Sequence, residues 1–156
     1  MATGHMPTNR GKLLIAQGAW DDHAATLIRC GLLKVQGAAA DTLVEVADLN
    51  TVNDLIVTSG CTECDFTNYV RKNLVRTPWV EDDANDRVNA VAALIAWAAA
   101  GGASNNTVVG AFFYDASTDT NDTTRLLLSV DWFAAGFPTN GGTMNYDPSA
   151  AFYRLA

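Results

Sequence analysis

Two apolar runs of strand length constrain this sequence more than any other feature. They are Thr107-Val108-Val109-Gly110-Ala111-Phe112-Phe113-Tyr114 and Arg125-Leu126-Leu127-Leu128-Ser129-Val130-Asp131-Trp132-Phe133. Both are rich in β-branched and aromatic side chains, and the stretch between them is mostly Asp, Asn, Ser and Thr, the pattern of a β-hairpin. In the first run Val108, Gly110, Phe112 and Tyr114 alternate with Val109, Ala111 and Phe113, so neither side is polar. A strand of that kind must be covered on both faces, by its own chain or by a neighbouring subunit. In the second run Leu126, Leu128, Val130 and Trp132 are expected on one side, opposite Arg125, Ser129 and Asp131. The chain is therefore predicted to be mostly β.

The remaining segments divide into short elements. Leu13-Leu14-Ile15-Ala16 reads as a first strand, and residues 26–35 as a second, with Gly31 marking a bulge or bend. Leu49, Val52, Leu55 and Ile56 recur at helical spacing, predicting one short helix over 48–59 that Asp48 caps and Gly60 ends. Residues 69–80 read as an edge strand or as one broken at Pro78, and the acidic turn over 81–86 reverses the chain. From 87 to 100 the signals conflict. Alanine content and the spacing of Val88, Val91, Ala92 and Ile95 favour helix, whereas Leu94-Ile95-Ala96-Trp97 is compatible with a strand. Residues 143–146 and 151–155 are left to complete the sheet, with a bend at Asp147-Pro148. No repeat and no linker divides the chain, so one domain is expected over 13–156, after an N-terminal arm of residues 1–12. Within that arm Gly4-His5-Met6 resembles a cloning remnant.

Composition narrows the function classes. The 156 residues carry a net charge of −7, and their ten basic side chains are scattered, which disfavours a nucleic-acid or anionic-membrane partner. No apolar run reaches the roughly 18 residues of a membrane helix, and the first twelve residues lack the apolar core of a signal peptide. Synthesis in the cytosol is expected. Charged residues make up 17% of the chain, against about 25% in an ordinary domain, which hints at surface hidden in an oligomer.

Signals for chemistry are sparse. Cys61-Thr62-Glu63-Cys64 has the spacing of a chelating or redox pair, but a closed zinc site needs four ligands, and only Cys30, His5 and His23 remain to complete one. The three cysteines are expected as reduced, small apolar residues. His23 beside Asp21 and Asp22 reads as a solvated loop residue, and no nucleophile-and-base, Walker or zincin motif accompanies it. No catalytic, cofactor-binding or metal residue is therefore assigned, no cofactor is expected, and the chain is not expected to be an enzyme. The acidic loops over 81–86 and 115–122 hold enough oxygen for Ca²⁺, yet neither follows the order of a calcium loop, so both read as solvated turns. Trp20, Trp79, Trp97 and Trp132 with Tyr69, Tyr114, Tyr146 and Tyr153 offer flat faces for a sugar groove, but core or interface is their expected place.

Tyr69-x-Arg71-Lys72-x-Leu74, Val80-x-Asp82-Asp83-x-x-Asp86, Trp97-x-Ala99, Gly110-Ala111-x-x-Tyr114, Arg125-x-Leu127, Asp131-x-Phe133 and Thr139-Asn140-Gly141-Gly142 together form a pattern. It resembles that of small virion structural proteins of tailed bacteriophages, from about Leu13 to the C-terminus and most densely over 68–142. The resemblance implies a single β-sandwich, jelly-roll or immunoglobulin-like, and favours strand over helix for 88–97, where this chain departs by being Ala-rich. It also implies a capsid decoration (cement) protein located in the virion, bound to the major capsid protein, as a homotrimer or other homo-oligomer. In that role the N-terminal arm is a capsid-contacting element. The alternative is a tail, fibre or baseplate module that binds a host surface glycan.

Overall fold

The computed structural model describes residues 4–16, 27–76, 79–117, 120–148 and 153–155. They form β1 (Gly4–Pro7), α1 (Asn9–Ala16), β2 (Ile28–Val35), α2 (Leu43–Asp48), a π-helical turn (Asp54–Thr58), β3 (Thr62–Glu63), β4 (Lys72–Asn73), β5 (Val80–Asp82), β6 (Arg87–Ala90) and β7 (Ile95–Trp97). After these come β8 (Thr107–Asp115), β9 (Leu127–Pro138), β10 (Met144–Tyr146) and β11 (Tyr153–Leu155), so the chain is mostly β. A central antiparallel sheet has the order β1-β9-β8-β2-β3, with β4 also paired to β2. Two smaller sheets, β10-β7 and β11-β6-β5, lie apart from it.

The β8–β9 hairpin is the middle of that sheet, with Phe112 opposite Val130 and Ala111 opposite Asp131. Both faces of β8 are buried, as its alternation requires. On one face Ile28, Cys30, Leu32, Ala111 and Phe113 pack with Trp97, Ile95, Ala90, Ala92 and Tyr153 from the small sheets. On the other, Leu33, Phe112, Tyr114, Val130 and Trp132 pack with Val46, Leu49, Val52 and Leu55 from the helical segment. The central sheet is thus covered by sheet on one side and by helical turns on the other. These layers are unequal, so strand order describes them better than a jelly-roll or immunoglobulin-like label.

Alternation along β9 is interrupted where the sequence gives no sign of it. The register shifts between Phe113 and Tyr114, which opposes Leu127. Across this bulge Leu127 joins the helical-side core and Leu128 the opposite one, so Leu128 does not share a face with Val130 and Trp132. The polar side expected for this strand is also not solvated: Ser129 is buried and Asp131 half-buried.

Several local expectations change. Leu13-Leu14-Ile15-Ala16 ends helix α1 instead of forming a strand, because Thr8 caps it, accepting from the Gly11 N–H at 2.9 Å while the Thr8 carbonyl accepts from Lys12. Residues 4–7, assigned to an arm, form the edge strand β1, with Met6 opposite Val130 and buried. The single helix over 48–59 is two helical pieces. Thr42 and Glu45 form a capping box for α2, which Asp48 ends, and Thr51 with Asp54 caps the second piece. Gly60, at φ +80°, terminates it as expected. Residues 87–90 and 95–97 are strands, and the 81–86 turn joins β5 to β6. Ala90 and Ala92 are buried between sheets, where small side chains allow close approach; pairing with β5 and β11 outweighs helix propensity. Pro78, His23 and Trp20 lie outside the described residues.

Candidate functional site

Cys61 and Cys64 do not meet. Cys61 belongs to the helical-side core and Cys64 to the opposite core. Two residues of β3 separate them, and the chain crosses the sheet edge between them. All three cysteines are free and buried. Burial, aided by Glu63, pushes the Cys64 thiol up to about 12, and burial also raises those of Cys30 and Cys61. His5 lies on β1 opposite Asp131, with its ring edge-on to Tyr153 at 6.1 Å, at the edge of the central sheet opposite to β3, which lies between Cys61 and Cys64. Among the described residues, no cluster of three or more His, Cys, Asp or Glu is arranged to hold a metal ion.

Asp82, Asp115 and Asp122 of the acidic loops are engaged within the chain. Asp82 accepts from Asn85 at 2.9 Å and from Arg87 at 2.7 Å, and Asp86 turns the chain at φ +49°. Asp115 accepts from the backbone and hydroxyl of Ser117. Asp122 enters a larger network. Arg71 binds Glu63 through Nε and Nη2 and Asp122 through Nη1 and Nη2, each at 2.7 Å, and Arg125 adds a 2.8 Å bond to Asp122. The Arg71 guanidinium lies 5.2 Å from the ring centroid of Tyr114 and 5.3 Å from that of Phe112. Tyr69 donates to Glu63 at 2.6 Å and accepts from the Leu32 N–H at 2.9 Å.

Burial works against the Arg71 charge, but Glu63 and Asp122 outweigh it and raise the pKa. Arg71, first of all, holds Asp122 below the usual carboxylate range against the opposing effect of its partial burial, with Arg125 contributing. Burial and the Glu63 charge push the Tyr69 hydroxyl up, so it stays a neutral donor. With both carboxylates engaged in bidentate pairs, the network is a structural clasp joining β3, the 69–73 strap and the hairpin loop.

The sequence-selected aromatics are mostly core: Trp97, Trp132, Tyr114 and Tyr153 are buried. Among the described residues, a surface cleft lies where β9 ends. Its volume is about 260 Å³, and it is lined by Ala100, Phe137 to Thr139, Asn140 and the 142–145 segment. Between Trp132, opposite Gly110, and Phe137, opposite Val108, β9 carries three more residues than β8 can match. The bulge presents Phe137, 54% exposed, at the cleft mouth. Its ring is held edge-on by Phe133 at 5.4 Å, Phe133 meets Tyr146 at 5.5 Å, and Tyr146 meets the buried Phe113 at 6.0 Å. Tyr146 is anchored by donating to Asp131 at 2.8 Å.

The cleft floor is equally fixed. Ala100 and the 141–142 turn exchange two backbone hydrogen bonds of 2.7 Å, and Thr139 is tied to Asn106 through backbone and hydroxyl. Gly141 and Gly101 sit at φ +89° and +92°, which a side chain would strain. Thr139-Asn140-Gly141-Gly142 is visible in the sequence as a turn that directly follows Phe137, but the bulge before Phe137 is not. Comparison with protein-family models, curated proteins and solved structures gave no match.

Proposed function

We propose that this chain is a structural protein of a tailed-bacteriophage virion, a capsid decoration (cement) protein that stabilises the shell as a homo-oligomer on the major capsid protein. The observation that carries this reading is the aliphatic surface on both outer layers. Leu43, Val44 and Val57 face solvent from the helical layer, and Val75, Val80 and Leu94 from the side of the small sheets, at 49–73% exposure. Val75 and Leu94 are brought together by the Arg76–Ala92 bridge and the hydrogen bond from Ala93 to Val75. Singly exposed aliphatics are ordinary, but exposed aliphatics on both layers that cover one sheet suit a protein gripped from two sides. Four of the six are valines, whose stiff β-branched side chains lose little entropy when such a contact forms. The residue pattern over 68–142 supplies the class of particle.

Counting copies in purified particles tests the proposal directly. Hundreds per particle, and capsids that assemble without the protein but burst more readily, are the expected results. A Val44→Asp/Val57→Asp double variant should fold and fail to load onto capsids. Absence from particles, or a few copies confined to the tail, would overturn the decoration role.

A further inference from the structure

We propose that the cleft at the end of β9 binds one ring of an uncharged sugar, as a free monosaccharide or as the terminal residue of a glycan. The first argument is charge. Its lining residues, Ala100, Phe137, Thr139, Asn140, Thr143 and Asn145 among them, include no ionisable side chain, so neither an anion nor a cation finds a counter-charge there. The second is the kind of groups offered. Asn140 spends its Oδ1 on the Gly142 N–H, which leaves its Nδ2 for a ligand. The Thr143 hydroxyl and both polar atoms of Asn145 make no hydrogen bond within the described residues. A donor, a hydroxyl and a carboxamide that both donates and accepts match the vicinal hydroxyls of a pyranose. Beside them stands the Phe137 ring, whose apolar face suits the C–H face of the same sugar.

Size and rigidity complete the case. At about 260 Å³ the cleft is below the roughly 300–1,000 Å³ of drug-sized pockets, so it admits one ring and leaves a glycan chain outside. The aromatic series from Phe113 through Tyr146 and Phe133 fixes Phe137, and the paired Ala100 bonds fix the floor, so little ordering cost falls on binding. This inference is independent of the virion reading: a chain absent from particles can still bind sugar, and a decoration protein can lack this activity.

The test is an NMR titration of the full chain with the methyl glycosides of glucose, galactose, mannose and N-acetylglucosamine, with glycerol as a polyol control. At least one sugar should shift the amides of 139–145 and the Phe137 ring, with a Kd in the range of about 1 mM, while glycerol shifts neither. Phe137→Ala, at a half-exposed position, should raise that Kd at least about tenfold, and Asn145→Ala should raise it about threefold or more, each with the core spectrum retained. A neutral glycan array then separates the two sources: retention of the whole chain on a glycan ending in the same sugar identifies a glycan terminus, and titration alone identifies the free sugar. No shift with any of the four glycosides, equal shifts with glycerol, or an unchanged Kd in both variants would overturn the proposal.

Discussion

At Gly31 the absence of a side chain is what allows the helical-side core to close. The position pairs with Phe112, and a Cβ built there would lie 2.2 Å from the Phe112 ring. No bulge or bend is needed to explain this glycine; the ring occupies the missing volume. Gly110 stands in the same relation to Trp132, with a Cβ that would fall 2.5 Å from its ring. Gly31→Ala should therefore destabilise the fold by about 2 kcal/mol or more, read from the denaturant midpoint at constant slope. Adding Phe112→Leu should recover part of that loss, giving a coupling that two independent sites would not show. At this scale the sequence displays the glycine and the aromatic but not their contact, since the pairing register belongs to two strands about 80 residues apart in sequence. The same limit explains Cys61 and Cys64: their spacing is visible, but the sheet edge that sends them into opposite cores is not.

Elements are joined by the Arg71 clasp. It ties β3 and the strap of 69–73 to the loop between β8 and β9, and that loop is bonded again to the second helical piece through Asn53 to Asp122 and Val52 to Arg125. Because Asp122 is held below its ordinary value in the folded chain, it contributes stability that is full above the unfolded carboxylate pKa of about 3.9 and is lost as pH falls through the folded value. Asp122→Asn should lower stability at neutral pH and flatten the acid limb of a plot of denaturation midpoint against pH. Parallel limbs for the variant and the parent chain would show that the clasp contributes nothing there. The apolar runs of β8 and β9 are legible in the sequence as strands, whereas over 87–97 the residues alone leave helix and strand open and the strands there are settled by pairing with β5, β10 and β11. The strand expected over 13–16 and the single helix expected over 48–59 differ from the structure because caps decide those boundaries: Thr8, Thr42 and Thr51 each precede a helical piece. The apolar content of 13–16 suits a strand, but the cap at Thr8 outweighs it.

The whole molecule is a sheet covered on both faces, and its N-terminal edge strand is part of that closure. Met6 is buried in the helical-side core, and the Thr8 hydroxyl donates to the Leu127 carbonyl at 2.7 Å. Removing residues 1–7 should cost about 2 kcal/mol or more through the loss of Met6 alone, and should expose the β9 edge to pairing between chains. Denaturation and light scattering on the truncated chain would check this; unchanged stability would restore the arm reading. Composition and alternation by themselves determined a mostly β chain built around the 107–133 hairpin, with a first strand that needs cover on both faces, because burial on a pleated strand follows a period of two that local sequence records. Only the tertiary structure decided what provides that cover and where β9 bulges. Those outcomes depend on register and on contacts between distant segments, which no local pattern encodes.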